Sequence, residues 1–328
     1  MVIARDTLVG GTYLLEEVIG RGSMGVLWRA RDVRQGRSVA VKFMLAHDPS
    51  ERARLRFGDE ANKIASVESP HVVRVYDVGD QDGAHPYIVM ELLEGETLRE
   101  HLRRTTVPSL DAVIRLVAEL SAGLCIIHRE GIVHRDLKPG NVFLVGDGPH
   151  PKAKIVDFGL AKWLDDGSSI TRRGARLGTP YYMSREQVVD PASVDHRADL
   201  WSLSVVAYQM LTGEKPFDGV DADAVLDAII AGAPTPPSAV RPGLTDEVDV
   251  FFWRAFHREL DQRHPTANDL AAAFGRAMTT VNRLSADVWP VGGPGRHDAP
   301  VSGPVADTEL VEPLGLTRLD EPTEDVVG

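Results

Sequence analysis

One cysteine stands in 328 residues. Cys125 therefore has no second thiol with which to close a disulfide or share a metal, so the chain suits a reducing compartment and reads as cytoplasmic. Within the apolar run GLCIIH it reads as a small buried hydrophobe. Apolar runs are short as well. Nowhere do about 18 apolar residues follow one another, and Arg5 and Asp6 interrupt the N-terminal MVIARDTLVGG before it reaches the length of a signal-peptide core, so no membrane span is expected in the chain. Positive charge is in deficit, with 36 Lys and Arg against 48 Asp and Glu and a formal net charge of -12. Without a stripe of Lys and Arg a broad nucleic-acid surface is excluded, and an anionic ligand needs a local exception to the general charge. No internal repeat of fixed period occurs, which removes the repeat architectures.

What is present is ordinary for a globular chain, 43% hydrophobic and 26% charged, and the length favours two domains or two lobes plus a tail. Residues 13–93 are strand-rich. YLLEEVIG, GVLWRARD, SVAVKFM, VVRVYDVG and YIVMEL are short β-branched and aromatic runs set apart by Gly, Asp and Gln turns. One helix interrupts them from near Ser50 to Val67, with Leu55, Phe57, Ile64 and Val67 at roughly helical spacing. From about residue 94 to 280 the pattern turns mainly helical, broken by short strands at VFLV and KAKIVD. Beyond about Val281 the sequence becomes a Pro/Gly-rich acidic stretch with no period, and residues 281–328 carry nine Asp and Glu against three Arg, half of the net charge. That composition predicts a disordered tail. The expectation is an α+β fold of two lobes, a small β-rich one with one main helix and a larger mainly helical one, followed by the tail.

Several short stretches carry chemistry. GRGSMG places Gly20, Gly22 and Gly25 between two predicted strands. A dinucleotide-binding turn would need a helix after the third glycine, so strand, loop, strand is the better reading: either a plain glycine hairpin or a flap whose backbone N–H groups close over phosphates. Lys42 ends the apolar strand VAVK. Glu60 lies three residues after Phe57 and four before Ile64, on the side of the helix with apolar neighbours, where a carboxylate is costly unless a cation meets it. Lys42 is the nearest candidate. HRDLKPGN, His134 to Asn141, reads on composition as a surface loop. Asp136, Asn141 and Asp157 of KIVDFG nevertheless offer only hard oxygen ligands and a base, which is Mg²⁺ rather than Zn²⁺ chemistry. Together these elements suit a nucleoside triphosphate and its metal.

From about Tyr13 to about Phe274 the motif set resembles the eukaryotic-like (Hanks-type) protein serine/threonine kinases of bacteria. The resemblance implies ATP and Mg²⁺, or Mn²⁺, as cofactors and a kinase domain over residues 1–280. It implies that Gly20, Gly22 and Gly25 form the flap over the ATP phosphates, that Lys42 holds the α- and β-phosphates, and that Glu60 holds Lys42. Val26 to Trp28, Leu27 among them, and Ala40 would roof the adenine, Leu144 would floor it, and Ile19 would also bind the nucleotide. Met90 would stand at the back of the pocket, with Glu91 and Leu93 presenting backbone groups to the base. Asp136 would accept the substrate proton, Lys138 would meet the transferred phosphoryl, and Asn141 and Asp157 would bind the metal. Ile64, Val75, His134 and Phe158 match the apolar column that ties the lobes.

Protein substrates bearing Ser or Thr follow from Lys138 and Thr179 in this resemblance, and a dimer for autophosphorylation in trans goes with it. Arg135 would receive a phosphate carried by Ser168, Ser169 or Thr171. Asp199 and a buried pair between Glu186 and Arg263 would be structural. Two positions depart from the family pattern: Ser184-Arg185-Glu186 replaces a small residue, Pro and Glu, and Ser204 replaces a common glycine. The other readings are a pseudokinase scaffold and a small-molecule phosphotransferase.

Overall fold

The computed structural model describes residues 3–22, 25–44, 51–83, 85–105, 107–158 and 180–288, with the side chains of 51–54 and 282–288 excepted. Ser168, Ser169, Thr171, Thr179 and residues 289–328 of the tail lie outside the described residues. Strand periodicity builds the smaller lobe: β1 (Leu8–Val9), β2 (Tyr13–Gly22), β3 (Gly25–Asp32) and β4 (Ser38–Met44), then α1 (Glu51–Ala65), β5 (Val75–Gln81) and β6 (His85–Glu91). The strands form one antiparallel sheet in the order β1-β2-β3-β4-β6-β5. Alternation along β4 splits its side chains between two cores: Val39, Val41 and Phe43 join the outer cluster with Trp28 and Tyr87, whereas Ala40 and Met44 join the inner one with Ile64 and Met90. Lys42 falls between Ala40 and Met44 and so shares the inner face.

The larger lobe opens with β7 (Gly95–Thr97), α2 (Leu98–Arg104) and α3 (Leu110–Arg129), followed by β8 (Val142–Val145) and β9 (Lys152–Ile155). Then come α4 (Arg185–Val189), α5 (Arg197–Thr212), α6 (Ala222–Ala231), α7 (Pro237–Val240), α8 (Asp246–Ala255) and α9 (Ala267–Val288). Local signals set the helix starts and stops. Thr97 and Glu100 form a capping box on α2, the Ser109 hydroxyl accepts from Ala112 N–H at the start of α3, and Gly213, at φ 80°, ends α5 in the left-handed conformation. α5 is the buried axis of the lobe, with Trp201, Leu203, Val205, Val206, Tyr208 and Met210 all buried. Ser204 fits there because its hydroxyl donates to the Leu200 carbonyl at 2.8 Å.

The composition break near Val281 is not the end of the last helix. Val281 is buried, and α9 runs on to Val288, because NRLSADV is polar but contains no helix breaker. Sequence patterns also passed over β1, β7, α2, α4 and α7, which are seven residues or fewer and too short to show a period.

His264 makes one packing choice measurable. It is 3% exposed, stacked on Phe251 with ring centroids 5.3 Å apart, and its Nε2 has no hydrogen-bond partner. Burial, reinforced by Arg254 and Arg276 and only partly offset by Asp269, pushes its pKa down to about 4. The unfolded chain then takes up a proton that the folded chain refuses, so stability is lost as pH falls from about 6.5 towards 4. His264→Phe should remove about 2 kcal/mol of the stability difference between pH 7 and pH 5, measured by denaturant titration at both values. An unchanged pH dependence would show that His264 is not kept unprotonated by the fold.

Candidate active site

The cleft between the lobes collects the groups singled out in the sequence. Its upper wall is the β2–β3 hairpin. An added Cβ at Gly25 would lie 2.1 Å from the Phe43 carbonyl oxygen, so packing against β4 demands glycine there. Gly22 has nothing within 4 Å of such an atom, so its bareness serves no internal contact and leaves the flap's backbone approachable. Leu27 and Ala40 face the inner core and Leu144 lies opposite on β8, as a roof and floor require. Ile19, 39% exposed, lies at the rim. The roofing stretch is narrower than the family resemblance suggested: Val26 and Trp28 belong to the outer cluster, since side chains alternate along β3 and only Leu27 of the three points inward.

Met90 closes the back. Between it and α1 lies a small pocket of about 20 Å³ that opens to solvent, lined by Lys42, Ala61, Ile64, Val75, Met90 and Phe158 among others. The ion pairs beside this pocket bring a second correction. Lys42 does not meet Glu60: its Nζ lies 2.7 Å from Oδ1 of Asp157, while Glu60 is within 3.4 Å of Lys63, one turn along its own helix. The carboxylate two residues beyond β9 takes the lysine instead. Ile64, Val75, His134 and Phe158 are all buried, and the His134 and Phe158 rings are 5.3 Å apart.

Below the cleft a hydrogen-bond network fixes HRDLKPGN. Asp199, fully buried at the start of α5, accepts the backbone N–H groups of His134 and Arg135, each at 2.8 Å, and His128 Nε2 at 2.8 Å. Burial alone raises the Asp199 pKa, but the His128 hydrogen bond and the His134 backbone N–H hold it below the usual carboxylate range. Asp136 N–H donates to His134 Nδ1 at 3.3 Å, so the ring carries its hydrogen on Nε2 and donates to the Val156 carbonyl at 3.0 Å. Arg135 sits at φ 63° and Asp157 at φ 58°, both in a region that side-chain-bearing residues seldom adopt.

The polar groups of the loop itself follow. Asp136 Oδ2 accepts from Asn141 Nδ2 at 3.0 Å and pairs with Lys138 Nζ at 3.2 Å. Asn141 Nδ2 also donates to the Asp136 carbonyl at 2.7 Å, which commits its amide nitrogen and leaves its oxygen for a cation. Val156 N–H donates to the Asn141 carbonyl, bringing Asn141 beside the residue that precedes Asp157. Among the described residues no cluster of three or more His, Cys, Asp or Glu could hold a metal alone. Two hard oxygen donors without a protein cage fit Mg²⁺, which keeps waters and shares phosphate oxygens.

Behind the site, Glu186 and Arg263 form the expected pair as two parallel bonds of 3.0 Å each, with the side chains 7% and 1% exposed. Arg263 Nε also donates to the His257 carbonyl at 2.7 Å, and its guanidinium lies 4.7 Å from the Trp201 ring centroid. Ser184-Arg185-Glu186 disturbs nothing, because Ser184 and Gln187 make a capping box on α4. Gln187 Nε2 then donates to the Arg135 carbonyl at 2.8 Å. Sequence reading missed His128, Gln187 and Lys154 as partners of the site. His128 alone left a trace, as a polar residue ending an apolar helix.

Comparison with known proteins agrees with this geometry: residues 13–270 match the protein kinase domain. The chain belongs to the protein kinase family. Among bacterial relatives, a probable serine/threonine-protein kinase, SCO3848 of Streptomyces coelicolor, is 39% identical over 80% of the chain and 39% of its own length. Serine/threonine-protein kinase PknB of Mycobacterium tuberculosis is 38% identical over 80% of the chain and 42% of its own length. The chain thus spans about two-fifths of the relatives it matches. The crystal structure of the PknI kinase domain of Mycobacterium tuberculosis superposes with a TM-score of 0.67 at 25% identity, covering 84% of this kinase and all of that domain. Residues 1–466 of Rad53 in complex with AMP-PNP give a TM-score of 0.65 at 26% identity over 79% of this chain and 64% of that one. No helix of this kinase, among the described residues, is long and apolar enough to cross a membrane.

Proposed function

We propose that this kinase transfers the γ-phosphoryl group of Mg·ATP to serine and threonine hydroxyls of proteins. The observation that carries the reading is the set of bonds around Asp136: Asn141 and Lys138 both hold Oδ2, so the carboxylate is anchored by one oxygen and keeps the other for a substrate hydroxyl. The substrate oxygen then bonds to the γ-phosphorus, its proton passes to Asp136, and the bond from that phosphorus to the bridging oxygen breaks to release ADP. Lys138 neutralises the moving phosphoryl, and Lys42 holds the phosphates before it. Asn141 and Asp157 would hold Mg²⁺, or Mn²⁺ in its place, which when bound offsets the charge of the phosphates. The intact set of acid, amide and lysine side chains favours an active enzyme over a scaffold.

Regulation follows from the sequence of the loop before α4. Phosphorylation of Ser168, Ser169 or Thr171, in trans between two copies, would add roughly -1.5 to -2 charges for Arg135 to engage. Phosphatase treatment should therefore lower activity towards an added protein about tenfold or more, and a Ser168/Ser169/Thr171 triple alanine variant should behave like the treated enzyme. Undiminished activity in both would refute this switch. The kinase reading itself is tested by phosphoamino-acid analysis of a labelled protein substrate, which should yield phosphoserine and phosphothreonine. Phosphotyrosine alone would contradict the substrate class.

A further inference from the structure

One charged pair at the cleft has no part in phosphoryl transfer. Lys154, on β9 three residues before Asp157, places its Nζ 2.5 Å from Oε1 of Glu91, with the two side chains 16% and 22% exposed. The same oxygen accepts the Arg74 N–H at 2.8 Å, and Glu91 N–H donates to the Arg74 carbonyl at 2.9 Å. Arg74's own guanidinium is engaged elsewhere, 2.9 Å from Glu68, so Lys154 is the cationic side chain that meets Glu91 among the described residues. The backbone joins at the same place: Ile155 N–H donates to the His71 carbonyl and Val73 N–H to the Ile155 carbonyl, each at 2.9 Å. The segment 71–74, the end of β6 and β9 are thus tied together at Glu91.

Leu92, Leu93 and Glu94 lie in neither strand nor helix. The Glu94 carbonyl accepts from Gly146 N–H at 3.2 Å, but ladder bonds do not set the direction of the carbonyl and N–H groups of Leu92 and Leu93, which depends on how the segment is held at its ends. We infer that Lys154 is a positioning residue for the nucleotide: by clamping the Glu91 carboxylate it sets the backbone of Glu91 and Leu93 against the adenine edge. It also fixes their distance from Leu144 below and from Asp157 further along the same chain. A half-buried, charge-assisted bond that shares its acceptor with a backbone N–H is suited to this, since it is screened less than a surface pair. The inference rests on the kinase reading of the cleft.

The test uses the full chain, titrated with a fluorescent ADP analogue in Mg²⁺ buffer, together with steady-state kinetics. Lys154→Met should weaken nucleotide binding and raise the KM for ATP about tenfold. The kcat and the KM for the protein substrate should stay near wild type, and Lys154→Arg should restore most of the affinity. Glu91→Gln should match Lys154→Met, and the double variant should be no weaker than either single one. Unchanged nucleotide binding in Lys154→Met would overturn the inference. So would a loss spread equally over kcat and both KM values and not rescued by arginine, which would mark the pair as merely structural. A wild-type chain that bound no nucleotide at all would overturn the kinase reading and this inference with it.

Discussion

Asp136→Asn is expected to lower phosphoryl transfer by about 10²–10⁴-fold while the melting temperature stays near wild type. The substitution keeps the side chain's shape and removes its ability to take a proton. Loop geometry survives because Asn141 Nδ2 still bonds the residue 136 carbonyl, at 2.7 Å in the wild type, and because His134 and Arg135 remain held by Asp199. Only the contacts to Oδ2, from Asn141 at 3.0 Å and Lys138 at 3.2 Å, are weakened. Lys42→Ala acts through a different loss, that of phosphate positioning, and should cost about 10²-fold or more. Measuring single-turnover transfer and thermal unfolding on the same preparations separates the two causes. If Asp136→Asn kept wild-type transfer, the base would have to be sought elsewhere. If it lost transfer only by unfolding, the residue would be structural.

Arg263→Ala should destabilise the fold by about 3–5 kcal/mol, because it leaves the Glu186 carboxylate buried without its cation. Four interactions end together: the two bonds to Glu186, the bond to the His257 carbonyl and the packing over Trp201. For a domain of this size the melting temperature should fall on the order of 10 °C. Arg29 provides the comparison. Its ion pair with Glu17 joins side chains that are 45% and 61% exposed, and Arg29→Ala should move stability by no more than about 0.5 kcal/mol. Equal melting temperatures for the two variants would mean that the Glu186–Arg263 pair is solvated in solution.

These two residues also show what could be read before the structure. Asp136 and Arg263 sit in motifs whose residue types, order and spacing suffice to assign them, and the strands around the flap and the long helices follow from periods of 2 and 3.6. Lys42 shows the limit. Its place on the inner face of β4 follows from alternation, but its partner does not. Whether Glu60 or Asp157 reaches it depends on how far α1 stands from the sheet, a matter of packing between elements distant in sequence. The same holds for Lys154 and Glu91, 63 residues apart, whose meeting reflects how β9 crosses the end of β6. The helical end of the domain at Val288 rather than near Val281 was hidden for another reason: a polar segment looks like a tail until the buried Val281 extends its helix.

The most direct test is incubation of the purified chain with γ-labelled ATP and a protein substrate, with Mg²⁺ present or removed by chelation, alongside Asp136→Asn. Label should enter the substrate and the chain itself only with the metal present, and should be nearly absent with the variant. Absence of label from the wild-type chain, or equal label in the variant, would contradict an active protein kinase whose base is Asp136.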